Sequence, residues 1–376
     1  MSKTFDVIII GGGITGTATG YYLSKKGLRV LLLEKNFLTS GSTGRCITGI
    51  RQQFSTPATI QIAMESVRLF RSMKEELGLD VEWKNSGYLF LAHSRETLEM
   101  FKRNIAIQTK FGLDVKLISK EECKGIVPLM ETEELLGGAW CPSDGQANPF
   151  LVVKGYADGI RRNGGKIETG TEAVKITVEK GRVQSVTTSS GDTYTTSKIL
   201  NAAGPWAKDV GKMVGIDIPV EPERHEALIT EGVQYIGVPM LVDYRPDGGY
   251  FVQRVTGQFI GCFTPEKRDP GRGTKSTLEF LVEMSRRMYR LVPALKNVAV
   301  LRQWAGSYSM TPDGNPIVDK TEVAGFYCSV GMSGHGFMLG PALGKFMAQY
   351  MTEGRWPISM EELSYGRSFG EKESLA

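Results

Sequence analysis

Three glycines near the start of the chain have the spacing of a phosphate-binding turn. Gly11, Gly13 and Gly16 follow an apolar run at 5–10 and open a segment at 14–26 that suits a helix. Gly11 would permit a tight turn, Gly13 would let a pyrophosphate approach the backbone, and Gly16 would let the helix pack on the strand. Free N–H groups at the helix start favour the same anion. The pattern predicts a dinucleotide site; a ligand-free glycine turn is the alternative.

An acidic residue completes this unit. Residues 29–33 form a second predicted buried strand that ends at Glu34, whose carboxylate would accept hydrogen bonds from ribose hydroxyls. The order strand, helix, strand is that of a βαβ unit in a parallel sheet. These residues by themselves do not distinguish FAD from NAD.

A second glycine-rich turn lies near the other end of the chain. Residues 333–337, with the sequence SGHGF, follow a predicted strand and precede a predicted helix that extends to about residue 350. The backbone N–H groups of such a turn could meet an anionic flavin ring. Tight packing of the glycines is the alternative reading.

The elements between these turns predict two interleaved domains. We expect helices at 57–77, 97–111 and 278–291, an antiparallel meander at 166–197, and strands at 88–92, 198–203, 226–230, 249–253 and 259–263. The predicted cofactor domain comprises residues 1–80, 143–215 and 300–376. The predicted substrate domain comprises residues 81–142 and 216–299.

Composition excludes several classes of protein. With 376 residues, 41% hydrophobic and 23% charged, the chain should fold as about two globular domains. A net charge of +4 is too dilute for nucleic-acid binding. Five scattered cysteines without a CxxC pair predict neither a disulfide framework nor a metal site. No apolar run is long enough for a transmembrane helix, so we expect a cytoplasmic protein.

These motifs, with several other segments, resemble the superfamily of D-amino-acid oxidase and sarcosine oxidase. The segments are IIIGGGITG at 8–16, GSTGR at 41–45, PSDG at 142–145 with NP at 148–149, NAAGPW at 201–206, TPDGNP at 311–316 and GMSGHGF at 331–337. Residues 41–54 and 333–344 look most like the β subunits of archaeal-type proline dehydrogenase and multi-subunit sarcosine oxidase.

The resemblance implies a fold and a cofactor. It implies a DAO fold, in which a Rossmann-like FAD-binding domain of the GR2 type is interleaved with an antiparallel-sheet substrate domain. It also implies noncovalent FAD between the domains, with a possible second flavin, FMN, at a subunit interface. The implied cofactor-binding residues are Gly11, Gly13, Ile14, Thr15, Gly16, Glu34, Lys35, Ser42, Thr43, Arg45, Val174, Ala203, Gly204, Gly334, His335, Gly336, Phe337 and Met338.

Three catalytic residues follow from the same resemblance. Arg51 falls where related enzymes place an arginine for the substrate carboxylate, and a guanidinium can bind both oxygens at once. A surface salt bridge or a phosphate contact is the alternative for Arg51. His225 and Tyr250 fall in the sheet that covers the flavin in this family, although either could be a buried polar group of the core.

The chain also departs from its better-known relatives. Monomeric sarcosine oxidases have a flavin-linking cysteine just before the TPD motif, whereas residues 305–308 read AGSY. Those enzymes also have a lysine after GHGF, where this chain has Met338, which cannot pair with an anion. No lysine lies between Tyr250 and Pro265, where oxidases of the family place a cation that assists oxygen. The absence of this lysine favours a dehydrogenase.

The leading hypothesis is oxidation of a secondary amino acid of the proline, hydroxyproline or sarcosine type. Hydride would pass from the substrate carbon to flavin N5, in a dehydrogenase subunit of a hetero-oligomer. A stand-alone glycine or D-amino-acid oxidase that uses oxygen is the second hypothesis. A flavin electron-relay subunit without its own substrate site is the third.

Overall fold

The structure, a computed structural model, describes residues 3–267, 269–370 and 372–375. Its helices are α1 (Ile14–Lys25), α2 (Pro57–Leu77), α3 (Arg95–Gln108), α4 (Lys120–Ile126), α5 (Pro149–Arg162), α6 (Ala207–Lys212), α7 (Leu278–Leu291) and α8 (Gly336–Glu353). Its strands are β1 (Val7–Ile10), β2 (Val30–Leu33), β3 (Gly49–Ile50), β4 (Tyr88–Ala92), β5 (Lys116–Ile118), β6 (Gly137–Cys141), β7 (Gly145–Gln146), β8 (Lys166–Glu168), β9 (Ala173–Glu179), β10 (Arg182–Thr188), β11 (Thr193–Thr195), β12 (Ile199–Asn201), β13 (Glu221–Thr230), β14 (Met240–Asp243), β15 (Tyr250–Gln253), β16 (Phe259–Cys262), β17 (Val300–Met310), β18 (Ile317–Lys320) and β19 (Phe326–Val330).

The first layer is a six-stranded sheet in the order β18-β19-β12-β1-β2-β8. All its strand pairs are parallel except β18 with β19. Val7 and Ile9 of β1 join the core formed with α1, α2, α5 and α8, whereas Ile8 and Ile10 join the core on the opposite face. This burial on both faces explains the continuous apolar run of β1 and confirms the predicted Rossmann-like unit.

The second layer is an eight-stranded sheet in the order β17-β13-β16-β15-β14-β4-β6-β5. Its pairs are antiparallel except β14 with β4. Helix α7 packs on this sheet through Met284 and Met288, in a core that includes Phe251 and Phe259. Two chain segments, on either side of the cofactor domain's middle part, supply the strands, so the fold is interleaved as predicted.

Two sequence predictions need correction. Strand β17 pairs with β13 from Val300 to Met310 in the eight-stranded sheet, so the predicted domain boundary at residue 300 lies about ten residues too early. Because most residues of this strand are polar or small, its sequence shows no clear alternation of apolar and polar residues. The predicted meander at 166–197 is observed for β9, β10 and β11, but β8 instead pairs in parallel with β2.

Candidate active site

A cavity of about 500 Å³ is lined by residues of both large sheets. The six-stranded sheet contributes Ile10 and Leu33, which end β1 and β2. The eight-stranded sheet contributes His225 of β13 and Tyr250 of β15. In open parallel sheets, ligands bind beyond the carboxyl ends of the strands, which is where this cavity lies.

The first glycine turn forms one end of the cavity. Gly11 has a φ of +118°, and a Cβ added there would lie 2.3 Å from the Ala202 carbonyl oxygen. A Cβ on Gly16 would lie 2.0 Å from the Gly11 carbonyl oxygen. A Cβ on Gly13 would meet only the Thr43 hydroxyl, at 3.1 Å, and Gly13 lines the cavity. Gly11 and Gly16 are therefore required by the backbone, whereas Gly13 keeps space open for a ligand.

Acidic and hydroxyl side chains hold this end of the cavity in shape. Glu34 accepts hydrogen bonds from the backbone N–H groups of Gly12 and Asn36, both at 2.8 Å. The Thr43 hydroxyl accepts a hydrogen bond from the Ile14 N–H at 3.1 Å. The first turn of α1 thus faces the cavity next to the carboxylate that ends β2, in the arrangement the sequence predicts.

A lysine and a tryptophan of the cavity lining form a cation–π contact. The Lys35 ammonium lies 3.5 Å from the centre of the Trp206 ring. Burial lowers the pKa of Lys35 from its ordinary value, opposed by the Glu172 and Glu34 carboxylates. Both stacked residues line the cavity.

The second glycine turn lines another part of the cavity. Ser333 and Gly334 have φ values of +45° and +89°. Gly334 packs against Tyr308, since a Cβ added there would lie 2.6 Å from that ring. Helix α8 begins at Gly336 without a side-chain cap, so the N–H groups of its first turn have no acceptor within the helix. These groups belong to Gly336, Phe337 and Met338, which line the cavity and offer donors to an anion.

Arg51 is a buried cation beside the second glycine turn. Its side chain is 3% exposed and lies against the rings of Phe54 and Phe90. Its guanidinium donates to the Gln53 carbonyl at 2.9 Å, to His335 Nε2 at 3.0 Å and to the Leu375 carbonyl. Within the described part of the chain, no carboxylate lies within ion-pair distance of Arg51. A buried arginine without a counter-ion is suited to binding an anion.

His335 next to Arg51 is held neutral. Burial lowers its pKa well below the ordinary value of 6.5, and the charge of Arg51 lowers it further. Because the guanidinium donates to Nε2, that nitrogen must carry the lone pair, and the ring proton must lie on Nδ1. His335 therefore orients Arg51 without adding a second positive charge.

Tyr250 and His225, which the eight-stranded sheet contributes to the cavity, both contact Tyr308. The Tyr250 hydroxyl forms a 2.9 Å hydrogen bond with the hydroxyl of Tyr308, and the ring of Tyr308 stacks on that of His225 at 3.9 Å. Burial raises the pKa of Tyr250 well above its ordinary value and lowers that of His225. Both phenols and the imidazole are therefore neutral near pH 7.

The cavity collects nearly all the residues predicted for the site. Arg51, His225 and Tyr250 line it, together with Gly11, Gly13, Ile14, Thr15, Glu34, Lys35, Ser42, Thr43, Arg45, Ala203, Gly204, Gly334, His335, Gly336, Phe337 and Met338. Gly16 lies behind the turn and has a structural role. Val174 is 48% exposed and does not line the cavity, because alternation along β9 turns its neighbour Ala173 inward instead.

The sequence did not reveal two residues of this cavity. Tyr308 is the last residue of the segment 305–308, which lacks a flavin-linking cysteine, but no pattern there indicates its contacts with Tyr250 and Gly334. Leu375 lies 324 residues beyond Arg51 in a polar tail. No local pattern could have placed its carbonyl on that guanidinium.

A family model described as FAD dependent oxidoreductase, DAO, matches residues 6–350. The chain belongs to the DAO family. Among curated relatives of this DAO-family protein, sarcosine oxidase subunit beta of Rhizobium meliloti (strain 1021) is 30% identical over 93% of the chain and 85% of that protein. Dimethylglycine dehydrogenase, mitochondrial, of Rattus norvegicus is 27% identical over 96% of the chain, which spans only 44% of that protein's length.

Solved structures of the DAO family agree with this fold. L-proline dehydrogenase from P. horikoshii superposes with a TM-score of 0.92 at 38% identity, covering 97% of each chain. Glycine oxidase from Geobacillus kaustophilus superposes with a TM-score of 0.89 at 23% identity, covering 98% of this chain and all of that chain, and this likeness shows the fold alone.

The cavity of this DAO-family protein fits FAD. Gly13 leaves room for a pyrophosphate beside the start of α1, and Glu34 lies where β2 ends. At the second glycine turn, the first turn of α8 presents N–H groups suited to an electron-rich ring.

Among the described residues, no helix has the length and apolar character that a membrane-spanning segment requires.

Proposed function

We propose that this chain oxidises the carbon–nitrogen bond of a secondary amino acid of the proline, hydroxyproline or sarcosine type. It would do so with noncovalently bound FAD, as a dehydrogenase subunit of a larger assembly. The observation that carries the proposal is Arg51, a buried guanidinium beside the glycine turn where α8 begins, with no carboxylate partner among the described residues. The carboxylate of an amino acid would supply the missing counter-ion.

The relatives support the choice of substrate class. L-proline dehydrogenase from P. horikoshii is 38% identical along nearly the whole chain, and sarcosine oxidase subunit beta is 30% identical. Both names refer to amino acids with a secondary amine. The second relative is by its name one subunit of an assembly, which also supports partner chains for this protein.

The residues of the cavity would bind and orient this substrate. FAD, when bound, supplies the hydride acceptor. Arg51 would hold the carboxylate, and neutral His335 would keep the guanidinium in place. Tyr250 and Tyr308 would present their hydrogen-bonded pair of hydroxyls to the amine side of the substrate. The two phenols carry no charge near pH 7 and can accept a hydrogen bond from, or donate one to, the uncharged amine, which is the form that can release hydride.

A steady-state panel tests the proposed activity. Purified FAD-loaded protein would be assayed with L-proline, L-hydroxyproline, sarcosine, glycine and D-alanine, using an artificial electron acceptor without oxygen and then oxygen alone. We expect turnover with at least one secondary amino acid and the artificial acceptor, and little peroxide with oxygen. Turnover of only the primary amines, or peroxide formation at the same rate, would contradict the proposal.

Loss of either hydroxyl of the tyrosine pair should slow turnover. Tyr250→Phe and Tyr308→Phe each remove the shared hydrogen bond, which is worth about 1 kcal/mol, so we expect kcat/KM to fall about fivefold to tenfold. Because the two changes remove one interaction, the double variant should be little worse than either single variant. Tyr289→Phe on the exposed face of α7 is the control. Fully additive losses would show that the hydroxyls act separately.

The segment 373–375 occupies a donor of the Arg51 guanidinium that the substrate carboxylate would need, since the Leu375 carbonyl accepts a hydrogen bond from it. The Glu373 carboxylate accepts hydrogen bonds from Ser55 and Thr56, including the Ser55 N–H at 2.8 Å, and thereby holds the Leu375 carbonyl on the guanidinium. Glu373→Ala should loosen this segment and free a donor of Arg51. We expect KM for the amino acid to fall about tenfold, since a hydrogen bond to a charged group, which contributes about 1.5 kcal/mol, is no longer displaced.

The control for this change is Glu179→Ala, at the exposed end of β9. Its KM should equal that of the wild type. A higher KM for Glu373→Ala would mean that the segment helps to form the substrate site instead of competing with the substrate.

A further inference from the structure

Asp144 is a fully buried carboxylate close to the site. It lies between β6 and β7 with 0% exposure, and among the described residues no cation lies within ion-pair distance of it. Its oxygens accept hydrogen bonds from the Gln52 N–H at 3.0 Å, from Gln52 Nε2 at 2.7 Å and from Gln53 Nε2 at 3.3 Å. A buried carboxylate without a cation is costly, so its presence in the fold calls for a physical explanation.

Asp144 is connected to Arg51 through hydrogen bonds of Gln53. Strand β3 pairs with β7 so that Ile50 faces Gly145, which places the residues after β3 beside Asp144. Asp144 holds the side chain of Gln53, and the Gln53 carbonyl accepts the hydrogen bond from Arg51 Nη1 at 2.9 Å. Gln53 Nε2 is also held by the Tyr88 carbonyl at 3.2 Å. The guanidinium is thus oriented by a carbonyl whose residue is fixed by Asp144.

We propose that Asp144 is a positioning residue, which holds the segment 51–53 so that the Arg51 guanidinium faces a ligand carboxylate. This inference deepens the proposed function and rests on its assignment of Arg51. Asp144 does not itself line the cavity and would not touch the substrate. Its effect would appear in carboxylate affinity.

Protonation of Asp144 provides a way to observe this role. Burial raises its pKa to about 7, opposed by the hydrogen bonds from Gln52 and Gln53. The other titratable groups beside it are the Cys141 thiol, whose pKa burial raises, and the Tyr88 phenol, whose pKa is raised to about 12. Neutral His335 and the Arg51 cation lie beyond Gln53 and do not change charge near pH 7. A change of carboxylate affinity centred near pH 7 would therefore report on Asp144.

The raised pKa also predicts a slope in stability. Between the ordinary carboxyl pKa of 3.8 and about 7, folded protein keeps a proton on Asp144 that unfolded protein has lost. The free energy of unfolding contributed by this group therefore falls as pH rises through that interval. Asp144→Asn should remove this contribution to the slope.

The test measures the affinity of the FAD-loaded protein for acetate, by its effect on the flavin spectrum, at pH 6 and pH 8. Asp144→Asn places a donor where Gln53 Nε2 needs an acceptor, and Gln53→Met removes that Nε2 while keeping the carbonyl. We expect both variants to bind acetate about tenfold more weakly at pH 8. Wild-type affinity should fall from pH 8 to pH 6, whereas that of Asp144→Asn should change much less.

Two further variants make the result decisive. Asp114→Asn, at an exposed position, should behave as the wild type. Arg51→Gln should lose acetate binding. If Arg51→Gln loses it but Asp144→Asn and Gln53→Met retain wild-type affinity, the positioning role is wrong and the proposed function stands. If Arg51→Gln retains it, the assignment of Arg51 in the proposed function is wrong. Should Asp144→Asn fail to fold, Gln53→Met decides alone.

Discussion

Replacing Arg51 by glutamine should raise the KM for the amino-acid substrate about 100-fold or more, with a smaller effect on flavin content. A buried, fully desolvated arginine–carboxylate pair contributes about 3 kcal/mol or more to binding, which corresponds to a factor above 100. Arg51→Lys keeps the charge but loses the planar fork and the bond to the Gln53 carbonyl. We expect that variant to be intermediate. Steady-state kinetics with an artificial acceptor measure both effects.

The matched control is Arg182→Gln, at an exposed arginine of β10. It should leave KM unchanged. An Arg51→Gln enzyme with wild-type kinetics would contradict the role of Arg51 in binding the carboxylate. In an assembly with partner subunits, the same result would favour a relay function, in which this chain carries electrons without its own substrate site.

Replacing Gly13 by valine should yield a folded protein that does not retain FAD. A Cβ at Gly13 meets only the Thr43 hydroxyl at 3.1 Å, so the backbone tolerates a side chain there. The valine methyl groups would enter the cavity beside the start of α1, where the pyrophosphate must approach the backbone. We expect flavin content after gel filtration to fall at least about tenfold, since one overlap of this kind costs more than about 1.4 kcal/mol.

Two other glycines serve as comparisons. Gly125→Val places the same side chain in α4, where nothing lies within 4 Å, and should keep its flavin. Gly16→Val should fail to fold, because its Cβ would lie 2.0 Å from the Gly11 carbonyl oxygen. Circular dichroism and flavin absorbance distinguish the three cases. A Gly13→Val protein with a full complement of FAD would contradict the placement of the pyrophosphate.

Elements with strong local signals were predicted closely from the sequence. Helix α2 is observed at Pro57–Leu77 as predicted, because proline begins it and Gly78, with a φ of +69°, ends it. Helix α7 is likewise observed at Leu278–Leu291, since its apolar period is regular. Strand β17 was missed because its residues are mostly polar or small and its pairing with β13 spans about eighty residues of sequence. Pairing at that distance leaves no local pattern.

The same contrast between local signals and long-range pairing applies to the residues of the candidate site. Residues within recognisable turns, such as Gly13 and Gly334, line the cavity, and their predicted roles in cofactor binding stay predictions. Val174 does not line the cavity whereas its neighbour Ala173 does, because the side chains of β9 that face inward depend on how β9 pairs with β10. Asp144 was visible as part of a motif, but its contacts with Gln52 and Gln53 depend on the pairing of β3 with β7.

Anaerobic mixing of the FAD-loaded protein with L-proline, L-hydroxyproline or sarcosine tests the central claim most directly. At least one of these secondary amino acids should bleach the visible absorption of the bound flavin, and the same addition to Arg51→Gln should bleach it far more slowly at equal concentration. Full FAD occupancy with no bleaching by any of the three would contradict the proposed amine oxidation.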